Sequence, residues 1–226
     1  VTSAQHLLAD EVSVGYGHQV VLAGVTLRIG RGETVGLRGP SGCGKSTLVR
    51  VLALLHRPDR GRVRIDGTAV DAVRYAVPVA LRTRVAALFQ SPRAAADPRL
   101  SLTDLIAEPL RATRTPESAV RERVAELADL VGLTADLRSR RPHAVSDGQL
   151  QRACLARALV HHPDYLLCDE ATAMLDASTQ AHVAAVIRDY QRTQRAGVLV
   201  VTHDQTLLDR WTDRIVDLAG TAGVRA

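Results

Sequence analysis

The residues best suited to chemistry are Gly39, Pro40, Ser41, Gly42, Cys43, Gly44, Lys45 and Ser46, followed by Thr47. They fit G-x-x-x-x-G-K-[ST], a loop whose backbone N–H groups wrap a phosphate while the lysine supplies a compact positive charge. The chain holds 29 Lys plus Arg, and Lys45 is the only lysine. Wherever a charge need only be solvated, the sequence writes arginine. At this position it keeps an ammonium, narrow enough to act as a point charge between β- and γ-phosphates. The expected chemistry is binding of a nucleoside triphosphate. Further along, Tyr165-Leu-Leu-Cys-Asp-Glu170 is an apolar run ending in two carboxylates, and Val200-Val-Thr-His203 ends a similar run in an imidazole. Asp169 at a strand end suits a hydrated Mg²⁺ that Ser46 also reaches. Glu170, one residue on, suits the orientation or deprotonation of an attacking water, and His203 suits a hydrogen bond to a γ-phosphate. Ser146-Asp-Gly-Gln149 has the S-x-x-Q form of a capping box, which opens a helix and leaves an anion-binding N-terminus.

Such groups converge only if strands and helices bring them to one edge. Leu7 to Val14 and Val20 to Ile29 alternate as strands around a Gly15-Tyr-Gly17 turn, and Glu33 to Leu37 is a short buried strand running into the phosphate loop. Gly44 to Leu55 is apolar at helical spacing, so the loop lies between a strand and a helix N-terminus. Val63-Arg-Ile65 with Asp66-Gly67 predicts a strand and hairpin turn, and Val85 to Phe89 a strand ending at Gln90. Between Ser91 and Val145 come Pro-rich turns and two amphipathic helices, Leu102 to Ala112 and Glu117 to Val131. Strands return at Tyr165 to Cys168, Val198 to Val201 and Arg214 to Leu218, with helices at Gln149 to Val160 and Thr179 to Gln194. Alternation of strand and helix indicates an α/β fold with a parallel, helix-covered sheet.

Composition sets bounds. A chain of 226 residues, 46% hydrophobic and 23% charged, buries one core with a small subdomain. The net charge of +5 comes from scattered arginines without interleaved aromatics, so no nucleic-acid partner is expected. Three cysteines, Cys43, Cys154 and Cys168, are odd in number and lack metal-ligand spacing, which suits a reducing compartment. No apolar run is long enough to span a bilayer.

Taken in order, the phosphate loop, Gln90, a helical insertion, S-x-G-Q-x-Q-R, Asp-Glu and a strand-end histidine resemble the ATP-binding-cassette (ABC) ATPase family, from Tyr16 to about Leu218. The resemblance implies a P-loop NTPase: a RecA-like core with an N-terminal antiparallel β-subdomain, over residues 1–89 and 154–226, and a helical subdomain over 90–153, forming one ABC domain. It implies that Tyr16 stacks on adenine, that Gly39 to Thr47 hold the phosphates of ATP, and that Ser46, Gln90 and Asp169 serve Mg²⁺. Glu170 is then the catalytic carboxylate and His203 the γ-phosphate switch. Ser146, Gly148, Gln149 and Asp176 reach the ATP of a second subunit in a head-to-tail dimer that ATP closes and hydrolysis opens.

Gln90-Ser-Pro92, Asp97-Pro-Arg99, Glu108-Pro-Leu110, Arg141-Pro-His143 and Gln149-Leu-Gln-Arg152 are similar to importer ATPases for oligopeptides, dipeptides and nickel. That likeness implies a second ATPase subunit, more often unlike than identical, with two membrane permeases and an extracytoplasmic solute-binding protein. It places the chain on the cytoplasmic face of the cell membrane. A soluble ABC ATPase of repair, ribosome handling or enzyme assembly, and an exporter ATPase, are the alternatives. Two departures stand out. Only 23 residues follow His203, whereas many peptide-importer ATPases extend further, so a short member or a truncated chain is expected. Asp147 occupies a position where the family usually has glycine. A carboxylate ~5 Å from a phosphate charge, at an effective dielectric of ~20, is repelled by about 3 kcal/mol, so the composite site served by this helix is expected to be weakened but not abolished.

Overall fold

The computed structural model describes residues 5–171 and 175–218. Met174, the chain's single methionine, lies outside the described residues. The chain forms two compact units: Val1–Ala87 with Asp164–Glu170 and Gln191–Ala226, and Leu88–Pro163 with Ala171–Tyr190.

In the first unit, β1 (His6–Tyr16) pairs antiparallel with β2 (Gln19–Gly30) and with β4 (Arg60–Ile65), which turns back into β5 (Thr68–Val70). The turn at Asp66-Gly67 takes positive φ at both residues, 48° and 82°, the geometry that matches hairpin twist. β1 is bulged near Glu11, whose N–H leaves the ladder and donates to Thr26 Oγ1 at 3.1 Å. A second sheet runs in the order β6 (Val85–Leu88), β7 (Tyr165–Asp169), β8 (Gly197–Val201), β3 (Thr34–Arg38), β9 (Arg214–Asp217). The β7–β8, β8–β3 and β3–β9 pairs are parallel. Every residue of β7 and β8 is buried, which is why these strands read as continuous apolar runs rather than alternating ones.

Helix α1 (Lys45–Leu52) stops three residues before the Leu55 that its apolar spacing predicts. Leu54 adopts a left-handed φ of 60°, and the Leu55 N–H turns back to Arg50 O at 2.9 Å, leaving Leu55 exposed. A short α2 (Val79–Arg82) precedes β6, and α9 (Gln205–Trp211) leads to β9.

The second unit is helical. α4 (Leu102–Ala112) and α5 (Glu117–Leu130) lie where the sequence periodicity puts them, and each packs on α7 (Asp147–Leu159). α5 turns Val120, Val124, Leu127 and Ala128 inward on one stripe. Two short helices escape a periodicity reading because neither completes two turns: α3 (Pro92–Ala95) and α6 (Ala135–Ser139), capped by Ser91 and Thr134. α7 begins at Asp147 rather than Gln149 because Ser146 is its N-cap, and α8 (Ala177–Gln194) begins at Ala177, directly after Asp176. The expected partition into 1–89, 154–226 and 90–153 uses neighbouring boundaries on the N-terminal side. Residues 154–163, 171 and 175–190 belong with the helical unit.

Candidate active site

β3 delivers the chain into the phosphate loop, and glycine is demanded there by geometry. A Cβ on Gly39 would overlap the Leu218 carbonyl and sit 2.8 Å from Cys43 Sγ. Gly44 has φ 104°, and a Cβ there would meet Leu22 Cδ2 at 2.7 Å. The loop bends around Lys45, which is 7% exposed and donates from Nζ to Gly39 O and Pro40 O, both at 2.8 Å. The sole lysine is therefore anchored at the mouth of the loop whose N–H groups precede α1.

β7 and β8 supply the polar edge. Their parallel register sets Asp169 opposite Val201, so residues 33 positions apart in sequence, Glu170 and His203, leave the sheet side by side. Asp169 is 6% exposed; Ser46 donates a hydrogen bond to its carboxylate, whereas Oδ1 has no partner among the described residues. Burial pushes its pKa up; the Ser46 bond opposes this, the Glu170 charge adds to it, and Arg50 and Lys45 oppose it. A buried carboxylate oxygen without a donor, beside a serine hydroxyl, is the donor set that a hard divalent cation takes. Glu170 sits at φ 49° with its N–H donating to Val201 O at 2.9 Å, a strained backbone of the kind that clusters at working sites. Its Oε1 is 2.5 Å from His203 Nε2. His203 is held between β8 and α9, whose Asp204 cap accepts from Leu207 N at 3.1 Å. Tyr16, at the end of β1, is 49% exposed and lies 5.6 Å from the His56 ring.

The remaining expected residues belong to the helical unit. Gln90 is exposed just after β6. Ser146 and Gln149 form a reciprocal capping box: Ser146 Oγ accepts from Gln149 N at 3.2 Å, and Gln149 Oε1 accepts from Ser146 N at 3.0 Å. The Gln149 side chain is thus committed to its own helix end. Gly148 has no room for a larger residue without pressing on Thr179, since a Cβ would meet Thr179 Cγ2 at 3.1 Å. Asp176 caps α8, accepting from Ser178 N, Thr179 N and both hydroxyls. The first unit therefore gathers Lys45, Ser46, Asp169, Glu170 and His203, while Gln90, Ser146, Gly148, Gln149 and Asp176 occupy the second.

Two residues were missed by sequence reasoning. Gln151 is 1% exposed, and its Nε2 donates to Phe89 O at 3.2 Å and Ala171 O at 2.7 Å. One amide thus ties α7 to the residue before Gln90 and to the residue after Glu170. Its signal was a glutamine inside an otherwise apolar helical stripe. Arg93 is the other: it pairs with Asp147, and nothing in the sequence links the two.

Residues 22–173 match the family described as ABC transporter. The chain belongs to the ABC transporter family. This ABC cassette is 41% identical over 197 residues to the nickel import ATP-binding protein NikE of Brucella suis biovar 1, covering 87% of this chain and 74% of that protein. It is 37% identical over 195 residues to the oligopeptide transport ATP-binding protein OppF of Escherichia coli K12, covering 85% and 58%. Among solved structures, the dimeric post-hydrolysis state of the ATP-binding cassette MJ0796 bound to ADP and Pi superposes with a TM-score of 0.84 at 27% identity, over 97% of both chains. The fold is that of an ABC ATPase cassette, and the activity of the family is ATP hydrolysis. No helix among the described residues is long and apolar enough to cross a membrane.

Proposed function

We propose that this chain is the ATP-hydrolysing subunit of an ABC importer for nickel-type or peptide solutes, working from the cytoplasmic face of the membrane on two permeases. The observation that carries this reading is its similarity, over most of its length, to nickel and oligopeptide import ATP-binding proteins. A second ATPase subunit completes each site in the proposal, as the dimeric state of MJ0796 suggests, and an extracytoplasmic binding protein delivers the solute.

In the mechanism, Tyr16 stacks on adenine, and the N–H groups of Gly39 to Thr47 cradle the phosphates at the N-terminus of α1. Lys45 Nζ, already poised on the Gly39 and Pro40 carbonyls, supplies positive charge where β- and γ-phosphates meet. Ser46 and Asp169 would hold Mg²⁺, which would neutralise charge on the phosphate oxygens. Asp169 Oδ1, without a partner among the described residues, supports that assignment. Glu170 accepts a proton from the attacking water as its oxygen bonds to the γ-phosphorus, while the bond to the β-bridging oxygen breaks and ADP leaves with that electron pair. His203, 2.5 Å from Glu170, holds the carboxylate and reaches toward the γ-phosphate. From the opposing subunit, Ser146, Gly148 and the N–H groups at the start of α7 face the same phosphate, with Asp176 nearby.

Uptake by cells tests the reading. Deleting the gene should abolish accumulation of radiolabelled nickel or of a labelled dipeptide, and re-expression of the wild-type chain, but not of a Lys45→Ala chain, should restore it. Unchanged uptake of both solutes in the deletion strain, with the purified wild-type complex hydrolysing ATP, would overturn the importer assignment.

A further inference from the structure

Asp147 places a carboxylate in the first turn of α7, where helix geometry leaves N–H groups without intrahelical acceptors and favours an anion. A free carboxylate there competes with any phosphate drawn to the same end. In this chain it is not free. Arg93 Nη2 lies 2.6 Å from Asp147 Oδ1. The same guanidinium donates from Nη1 to Pro142 O at 3.0 Å and from Nη2 to Val145 O at 3.1 Å. One side chain therefore grips both carbonyls of the segment leading into α7 and the first side chain of the helix itself. All of these residues lie within the helical unit.

The supports of Arg93 point the same way. Arg93 stands in α3, a four-residue helix capped by Ser91, directly after Gln90. Arg157 of α7 donates to Ala95 O at 2.8 Å, so the far end of α3 is pinned to the same helix. The Arg93 and Asp147 side chains remain 47% and 52% exposed, so their attraction is open to screening by salt. What distinguishes this contact from an ordinary surface ion pair is the backbone grip, since the same guanidinium also donates to two main-chain carbonyls.

We propose that Arg93 is a positioning residue that compensates the Asp147 carboxylate and turns it away from the anion-binding end of α7, keeping Ser146 and Gly148 available to an ATP phosphate. The inference rests on the proposal that this helix end faces the nucleotide of a second subunit. It adds a reason why a carboxylate is tolerated at that end, and it couples the segment after Gln90 to the presentation of α7.

The test uses the full chain assembled with its partner subunits and measures kcat and KM for ATP at low and high salt. Arg93→Gln removes the charge and, being shorter by two bonds, also the Nη contacts to the Pro142 and Val145 carbonyls, so a second substitution, at Asp147, separates lost charge from lost contacts. Turnover should fall on the order of tenfold, as an uncompensated charge near a phosphate would cause. Adding Asp147→Asn to that variant should recover most of the loss, because the pair is then neutral on both sides. The Arg93→Gln deficit should also shrink as salt rises. Thermal melts of both variants report folding separately. Turnover of Arg93→Gln at the wild-type level, or a double variant no better than Arg93→Gln, would overturn the proposal. Ser146→Arg serves as the separate control. If it leaves turnover intact, the reading that this helix end faces ATP fails; if it abolishes turnover while Arg93→Gln has no effect, only the role of Arg93 fails.

Discussion

At the scale of single residues, neighbouring acids occupy opposite environments. Asp169 is buried with one oxygen unpartnered among the described residues, whereas Glu170 is strained, turned out of the strand and paired with His203. Glu170→Gln should leave ATP binding near wild type while turnover falls by about a thousandfold, the scale lost when a group acting in the transition state is removed. Turnover near wild type would remove Glu170 from its proposed role. Asp169→Asn removes a buried charge that lacks full compensation. In the absence of divalent cation its melting temperature should rise by a few degrees, even as turnover is lost; a lower melting temperature would show that the carboxylate is stabilised by the fold. The thiols differ too. Burial pushes Cys154 up to about 11 and Cys168 up to about 12. At pH 8 neither should be alkylated by a maleimide in the native chain, and both should react once it is unfolded, as mass spectrometry of the adducts would report.

At the scale of elements, caps decide where the helical unit presents its ends. Asp176 is held well below the usual carboxylate range by the Thr179 N–H and the Ser178 and Thr179 hydroxyls. Its folded pKa is depressed, so the cap's contribution is present above the unfolded value of about 3.9 and is lost as pH falls through the lower folded value. The melting-temperature gap between wild type and Asp176→Ala should therefore be widest near neutral pH and close in strong acid. Gln151 matters differently: its Nε2 serves Phe89 O and Ala171 O from inside α7. Gln151→Ala strands two carbonyls and should cost about 2 kcal/mol in denaturant unfolding. A cost under about 0.5 kcal/mol would mean that water replaces the amide.

At the scale of the molecule, a charge network binds the first unit's two sheets. Asp164 pairs with Arg31 and accepts from Arg84 Nε at 2.5 Å, and Arg84 also pairs with Asp66, whose other oxygen accepts from Tyr165 Oη at 2.5 Å. These residues come from the β2–β3 turn, the β4–β5 turn and the starts of β6 and β7. Burial, the Asp66 hydrogen bond and its charge all push the Tyr165 pKa upward, so the phenol stays protonated and remains a donor. Asp164→Ala leaves Arg31 and Arg84 each short of a partner. Because these side chains are only partly buried, a loss of about 1–2 kcal/mol is expected in urea unfolding.

The phosphate loop, the Asp-Glu strand end, the strand-end histidine and the capping box were legible in the sequence because each is a local pattern with a local cause. A five-residue apolar strand or an S-x-x-Q cap is specified by neighbours within a few positions. The same holds for α4 and α5, whose periodicity runs over enough turns to be distinctive, and not for α3 and α6, which are too short to show a period. What the tertiary structure alone decided is which local pieces meet. Glu170 reaches His203 because β7 and β8 pair in one register, and Asp147 meets Arg93 because α3 packs on α7. Pairing across 33 or 54 residues depends on sheet register and helix packing, which no short window of sequence encodes. The residues capable of chemistry were written in the chain; their partners were chosen by the fold.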